Sequence, residues 1–267
     1  MIPKKIHYCW FGGGELPEKD KRCIESWKKY CPDYEIIRWD ESNYDISKCK
    51  YMKDAYDNKK WGFVPDYARL DIIYNEGGIY LDTDVEVIKC FDDLLNLTGF
   101  MGFENEKYVN LGSGFGAEKE NHIIKRLRDV YDSKTFINAD GTLNLIASPK
   151  YSTTILEKEG LNRNNITQEL KGIKVFSSDY LAPLGFNDGV LRCTNHTYSI
   201  HWFNMSWKEK DEINLVFKEQ KNIRKYGNTV GGILNYLLLI QYDLIKYGLK
   251  KTIEKVLKKI QRDEISE

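Results

Sequence analysis

The chain has no surplus of charge: 40 Lys and Arg balance 40 Asp and Glu over 267 residues. Nucleic-acid binders that work through bulk electrostatics need a cationic excess, so charge alone argues against that class. Long apolar runs are missing as well. The longest strongly apolar stretch is Leu237-Leu238-Leu239-Ile240, far short of the roughly 20 residues that a membrane span needs. The six cysteines, Cys9, Cys23, Cys31, Cys49, Cys90 and Cys193, form no CxxC pair and no zinc-ligand spacing. They read as reduced thiols of a cytoplasmic chain, many packed as small hydrophobes. Met1-Ile2-Pro3-Lys4-Lys5 leads into a strand-like run without the apolar segment of a signal peptide. No internal repeat or disordered linker stands out.

What remains is ordinary globular material, with 42% hydrophobic and 30% charged residues, enough for one α/β domain with an appendage. The aromatic share of 13%, including 18 Tyr and 6 Trp, is high. Such rings stack on bases and sugar faces, and they also simply fill sheets.

Ile6 to Phe11 reads as a strand closed by Gly12-Gly13-Gly14. A helix opening at Leu16-Pro17-Glu18 runs through Tyr30, and Tyr34 to Trp39 forms a second strand. Strand, helix and strand with short connections predict a βαβ unit and a mostly parallel sheet. Helices are expected near 48–58 and from Pro65 to Asn75, the latter with Pro65 in its first turn and Gly77-Gly78 as its stop. Further strands are expected at Val85–Ile88, Gly99–Phe103, Gly112–Ala117, Ile173–Phe176 and Thr197–Phe203, with helices at His122–Tyr131 and Lys150–Lys158.

The most informative segment is Gly77-Gly78-Ile79-Tyr80-Leu81-Asp82-Thr83-Asp84. On a strand, carboxylates at i and i+2 share a face. At a strand's end they can hold a divalent cation against a diphosphate. A bare Asp-x-Asp is also what a solvated turn looks like, but the apolar strand before it favours a ligand loop at the sheet's carboxyl edge. Asp66 and Arg69 lie one helical turn apart, either as a surface ion pair or, with Leu70 and Ile73 continuing that face, as an inward pair gripping a sugar. Trp10, before the triple glycine, is either core or a platform for a base. His201 offers a ligand nitrogen, and a structural histidine is the bland alternative.

Ile6-His7-Tyr8-Cys9-Trp10-Phe11-Gly12-Gly13, Pro65-Asp66-Tyr67-Ala68-Arg69 and the acidic segment together resemble the DXD-containing glycosyltransferases of family 32. That family includes bacterial capsular-polysaccharide transferases, Och1-type mannosyltransferases and, more distantly, the clostridial glucosylating toxins. The resemblance spans about residues 3–207. It implies a GT-A-like fold, a Rossmann-like mixed sheet with helices on both faces. It also implies Mn²⁺ or Mg²⁺ dependence and transfer with retention from a nucleotide-sugar, UDP-linked, to a saccharide acceptor. Residue by residue it implies nucleotide-side contacts from Tyr8, Cys9, Trp10, Tyr80 and Asp82, and donor-sugar contacts from Asp66 and Arg69. Asp84 is the implied direct metal ligand, with Asp82 assisting and His201 as a third. Ser206 and Trp207 resemble a loop closing over the diphosphate, Trp207 joining Asp66 and Arg69 in the catalytic set. Asn110 is a candidate donor-site amide, and Ser113, Tyr151 and Thr153 fall on the acceptor side.

The expected organisation is a transferase domain over 1–207, with its donor half to about 110, and a basic helical appendage over 208–267. In that appendage Leu237, Leu238, Ile240, Leu244, Ile245 and Leu249 form an apolar stripe. Lys246, Lys250, Lys251, Lys255, Lys258, Lys259 and Arg262 load its end with charge. It either packs on the body or docks on the inner face of an anionic membrane, where a polyprenyl-diphosphate-linked acceptor would lie. Two rival functions remain. The acidic segment also fits the first motif of haloacid-dehalogenase-type phosphatases, but the pair Asp92-Asp93 follows too soon to supply the later acidic motif. A non-catalytic carbohydrate binder would account for the aromatics but not for the acidic pair.

Overall fold

The computed structural model describes residues 1–205 and 208–264, with side chains through 257. It divides into two compact units, the first made of Met1–Gly185 and Leu191–Trp207, the second of Phe186–Val190 and Lys208–Glu267.

The first unit is built on a seven-stranded sheet in the order β2-β1-β3-β6-β5-β8-β7. The strands are β1 (Lys5–Cys9), β2 (Glu35–Trp39), β3 (Gly78–Tyr80), β5 (Gly99–Gly102), β6 (Phe115–Ala117), β7 (Gln168–Leu170) and β8 (Ile173–Phe176). A separate two-stranded ribbon pairs β4 (Val85–Val87) with β9 (Ser199–His201). Helices cover both faces. α1 (Glu18–Tyr30) lies on one, with Trp27 and Ile24 packed beside Ile79, Val85, Val87 and Phe91. α2 (Lys50–Asp57), α3 (Pro65–Glu76), α4 (His122–Asp129) and α5 (Ser148–Lys158) lie on the other, around Leu70, Ile73, Phe115 and Ile124. A short α6 (Ser178–Leu181) follows β8.

The sheet is less parallel than the βαβ reading predicts. β1 runs parallel to β2 and β3, and β5 parallel to β8, but β3–β6, β5–β6 and β7–β8 are antiparallel. This mixed arrangement is what the GT-A-like resemblance implies, and it has a functional consequence. The carboxyl ends of β1, β3 and β5 and the amino end of β6 all fall on one edge, so residues just outside them meet there.

α3 shows why the acidic segment is so placed. Pro65 opens the helix, and residues 66–73 are all buried, so its polar members must find partners inside. Gly77 stops it at φ 66 and Gly78 follows at φ 102, both left-handed and suited to glycine. A Cβ on Gly78 would stand 2.9 Å from His7 Nε2. His7 fills the space left by that hydrogen. Its Nε2–H donates to Gly77 O at 3.0 Å, and Trp39 Nε1–H donates to its Nδ1 at 3.1 Å. This buried imidazole staples β1 and β2 to the α3–β3 turn in its neutral form.

In the second unit, α7 (Lys210–Glu264) is broken at Gly227 and Gly248, where φ is 72 and 77. The segments fold back on one another. A Cβ on Gly231 would lie 2.8 Å from Asn222 O, and Asn235 bonds Asn222 and the Glu219 carbonyl. No helix among the described residues is long and apolar enough to cross a membrane.

Burial holds the His7 pKa down to about 4, against the opposing pull of its Gly77 bond. Because the folded value lies below the ordinary one near 6.5, folding stability should be full above that pH and fall as pH drops toward 4. The loss should reach roughly 3 kcal/mol. Urea unfolding of the parent and of His7→Gln across this range checks it. The variant should show the shallower decline, and parallel pH profiles would contradict the assignment.

Candidate functional site

The acidic pair does not sit on a strand. β3 ends at Tyr80, and Asp82, Thr83 and Asp84 form a turn closed by Val85 N–H donating to Asp82 O at 3.1 Å. The Asp82 N–H goes to Gly112 O at 3.1 Å, across to the segment entering β6. The expected shared face is therefore reached by another route. The turn hands the chain to β4, whose Val85 pairs with His201 of β9. This brings in a residue more than a hundred positions downstream. One ligand atom from each of Asp82, Asp84 and His201 lies within 4.8 Å of the others. His201 Nε2 is 3.2 Å from Asp84 Oδ1.

Electrostatics separate the two carboxylates. Burial pushes Asp82 upward, opposed by Arg69, although 31% of its side chain still reaches solvent. Burial also pushes on Asp84, but His201 and the Asn204 N–H, which donates to Asp84 Oδ2 at 2.8 Å, outweigh it and hold the carboxyl below its usual value. His201 is raised because Asp84, Asp82 and Glu104 together overcome its desolvation. Its Nδ1 is buried without a partner among the described residues. Two carboxylates and an imidazole form a donor set suited to a small divalent cation. Among the described residues His201 and Arg69 oppose the negative charge gathered there, so these residues fit a divalent cation.

Arg69 joins this corner to Asp66. It is 4% exposed and Asp66 3% exposed, so the surface ion pair is ruled out. Arg69 Nη2 donates to Asp66 Oδ1, Nε donates to Pro65 O at 3.2 Å, and Nη1 stands 3.5 Å from Asp82 Oδ1. The guanidinium lies 5.4 Å from the Tyr80 ring centre, and Tyr80 O–H donates to Asp82 Oδ1 at 3.0 Å. Burial pushes Asp66 up to about 6, against the pull of Arg69 and Ser148.

Asn110 belongs to the same edge. Its Oδ1 accepts Gly112 N–H at 2.8 Å and its Nδ2 donates to Glu104 Oε2 at 2.6 Å. Glu104 is absent from the sequence reading. Its signal was available, since it is an acid two residues beyond the apolar strand Gly99–Gly102. Asp20 and Asn204, which bond the acidic turn and each other, were missed too. Neither carries a motif, and only the fold brings them together.

The remaining candidates scatter. Cys9 is buried beside Tyr80, its thiol pushed up to about 12 by burial. Tyr8 points to the opposite layer and packs edge-on against Trp27 at 5.6 Å. Trp10 is partly exposed, with its indole N–H donating to Gly14 O at 2.6 Å. Ser113 and Thr153 are buried in local bonds to Asn110 O and Pro149 O, and Tyr151 bonds Asn144. Ser206 and Trp207 lie outside the described residues. Asp92, of the phosphatase reading, bonds Lys4 and Tyr34 at the opposite end of β1.

Residues 17–100, which hold Asp20, Asp66, Arg69 and the acidic turn, match the glycosyltransferase sugar-binding region containing the DXD motif. This region of the chain is similar to the family-32-like DXD glycosyltransferases. Among similar proteins, inositol phosphoceramide mannosyltransferase 3 of Schizosaccharomyces pombe is 38% identical over 36% of this chain and 28% of the relative. This chain thus spans less than a third of that relative's length. A glycosyltransferase of Acanthamoeba polyphaga mimivirus is 26% identical over 83% of this chain and 90% of its own. Among solved structures, the PaToxG glycosyltransferase aligns at 21% identity and a TM-score of 0.48, covering 60% of this chain and 69% of that one.

Gly112 lets this site close. A Cβ there would lie 2.3 Å from Asp82 Oδ2 and 3.2 Å from Arg69 Nη1. Gly112→Ala should cost about 1–3 kcal/mol on urea unfolding, as overpacking does. Gly14, with nothing within 4 Å of its Cβ position, should accept alanine within about 0.5 kcal/mol. Equal losses for the two would contradict the packing described.

Proposed function

We propose that the chain moves a hexose or N-acetylhexosamine from a nucleotide diphosphate donor, UDP-linked, to a saccharide hydroxyl with retention of configuration. The observation that carries this reading is the Asp66–Arg69 pair bonded into the same cluster as Asp82, Asp84 and His201. A site for sugar hydroxyls and a site for a cation are thereby held side by side.

Asp84, His201 and Asp82 would hold Mn²⁺ or Mg²⁺. Such an ion offsets the charge that develops on a leaving diphosphate. Arg69 keeps its proton throughout, because Asp82 and Asp66 overcome its desolvation, and it orients Asp66 toward the sugar. Trp10, at the mouth of β1, offers its ring to the base. Among the described residues of this cluster the carboxylates are engaged: Asp66 is tied to Arg69, Glu104 to Asn110, and Asp82 and Asp84 to the cation corner. This supports front-face attack by the acceptor, whose proton goes to the departing phosphate oxygen.

Asp84→Asn should lower metal-dependent hydrolysis of the accepted nucleotide-sugar by about 100-fold or more while leaving the melting temperature near the parent's. A variant with the parent's turnover and metal response would end this reading. A panel of nucleotide-sugars, each with and without Mn²⁺, identifies the donor. Mass detection of a glycosyl adduct on any Asp or Glu would replace front-face attack with double displacement.

The second unit supports work at a membrane surface on a polyprenyl-linked acceptor, as in bacterial surface polysaccharide synthesis. Ile233, Leu237, Ile245, Leu249 and Ile253 are between 49% and 81% exposed. Ile240, Leu244, Thr252 and Val256 line an apolar groove beside them, and Lys250 and Lys251 are exposed nearby. The side chains of Lys258, Lys259 and Arg262 lie outside the described residues. Apolar contact flanked by lysines is the pattern of peripheral docking on anionic lipid. Reversing charge at Lys250 and Lys251 to Glu should weaken sedimentation with anionic liposomes and spare donor hydrolysis. Unchanged sedimentation would leave the unit as a packing or oligomer element.

A further inference from the structure

We propose that Asp20 and Asn204 form a latch that positions the cation ligands, tying the turn carrying Asp82 and Asp84 to the segment carrying His201. The inference rests on the cation reading of that cluster and assigns roles to two residues outside it. Asp20 lies in the first turn of α1, on neither of the segments it connects. Its Oδ2 accepts Thr83 O–H at 2.8 Å, and Thr83 is the residue between the two aspartates. Its Oδ1 accepts Asn204 Nδ2–H at 2.7 Å. Asn204 closes the circuit through its backbone, whose N–H donates to Asp84 Oδ2 at 2.8 Å.

Two further observations say that this circuit holds something in place. Phe203 and Met205, on either side of Asn204, sit at φ 52 and φ 50. Left-handed backbone is uncommon and strained for side chains of this size. Such a conformation persists where surrounding bonds over-determine it, and those of Asn204 do so. The Phe203 ring also lies 4.2 Å from the His201 ring, centre to centre, so the turn that Asn204 pins also packs the imidazole.

The second observation is the charge of Asp20. It is 3% exposed, bonded to the neutral groups of Thr83 and Asn204, and pairs with no Lys or Arg among the described residues. Burial raises its pKa, and Asp84 and Asp82 raise it further. A carboxylate in that setting is costly without a compensating cation. Asp20 therefore acts as a positioning residue that adds negative field to a site it does not ligate. Groups beyond the ligands that orient them typically change metal affinity 10–100-fold.

The test uses the full chain without nucleotide. Calorimetric titration with Mn²⁺ alone compares the parent with Asp20→Ala, Asn204→Ala and the Asp20→Ala/Asn204→Ala double variant. Hydrogen exchange of residues 199–205 is followed in the metal-free proteins. The latch predicts about 10–100-fold weaker Mn²⁺ binding in each single variant at Asp20 and Asn204. The double variant should be little weaker than the worse single, because either change opens the same circuit. Exchange over 199–205 should quicken in all three. Asn204→Ala lies in a turn and serves should Asp20→Ala fail to fold. Parent-like Mn²⁺ affinity in both singles overturns the latch, as do losses that multiply in the double variant. If the parent binds no Mn²⁺, the cation reading fails on its own. The exchange arm then decides the latch, and unchanged exchange overturns it.

Discussion

Arg69 is a guanidinium shut inside a protein. It cannot give up its proton, and a buried charge of that kind must be matched by anions and hydrogen bonds or the chain will not fold around it. Asp66 and Asp82 supply the anions, Pro65 O accepts from Nε, and the Tyr80 ring covers a face. Much of the surrounding architecture follows from this need. α3 must present Asp66 and Arg69 on one turn, β3 must stop at Tyr80 so that Asp82 can turn back, and Gly112 must have no side chain. The pair adds little net stability, because desolvation offsets most of the attraction, but removing one partner would leave the other uncompensated.

The same constraint links fold to chemistry. Carboxylates that neutralise Arg69 from one side would meet a cation on the other, so the charge balance of the site is incomplete within the protein. Asp84 and Asp20 extend the imbalance away from Arg69. The carboxyl edge of the mixed sheet is where this can happen, because β1, β3 and β5 end there and β6 begins there. Hydrogen bonds from Asn110 and Asn204 then fix carboxylates that mutual repulsion would spread.

How much of this was legible in the chain depends on the distance over which each feature is encoded. Local signals were clear. Pro65 and Gly77-Gly78 bounded α3, the apolar run at Ile173–Phe176 was a strand, and Asp66 with Arg69 marked one face of a helix. The acidic pair was found for a partly wrong geometric reason. An alternation suited to a strand was in fact a turn, because Gly112 O captures the Asp82 N–H and ends the strand ladder. β7 and α6 were missed, at three and four residues too short for a periodic pattern. Sheet direction was misjudged because β6 enters antiparallel from a distant segment and nothing local announces it. Asp20, Glu104 and Asn204 were missed for the same reason, since each gains its role from partners far along the chain. His201 was the exception: its surroundings in sequence offered a ligand nitrogen beside a structural alternative, and the resemblance to a family then implied a third ligand there.

The central claim is that the negative corner made by Asp82, Asp84 and His201 is a cation site next to the Arg69 cluster. A crystal structure of the full chain grown with MnCl₂ and UDP, with anomalous data collected at the manganese edge, tests this most directly. The account predicts a strong anomalous peak bonded to Asp84 and His201, with the 3.2 Å contact between them opened by the ion and Arg69 still bridging Asp66 and Asp82. Manganese bound elsewhere, or a complex in which His201 stays on Asp84 with no peak between them, would contradict it.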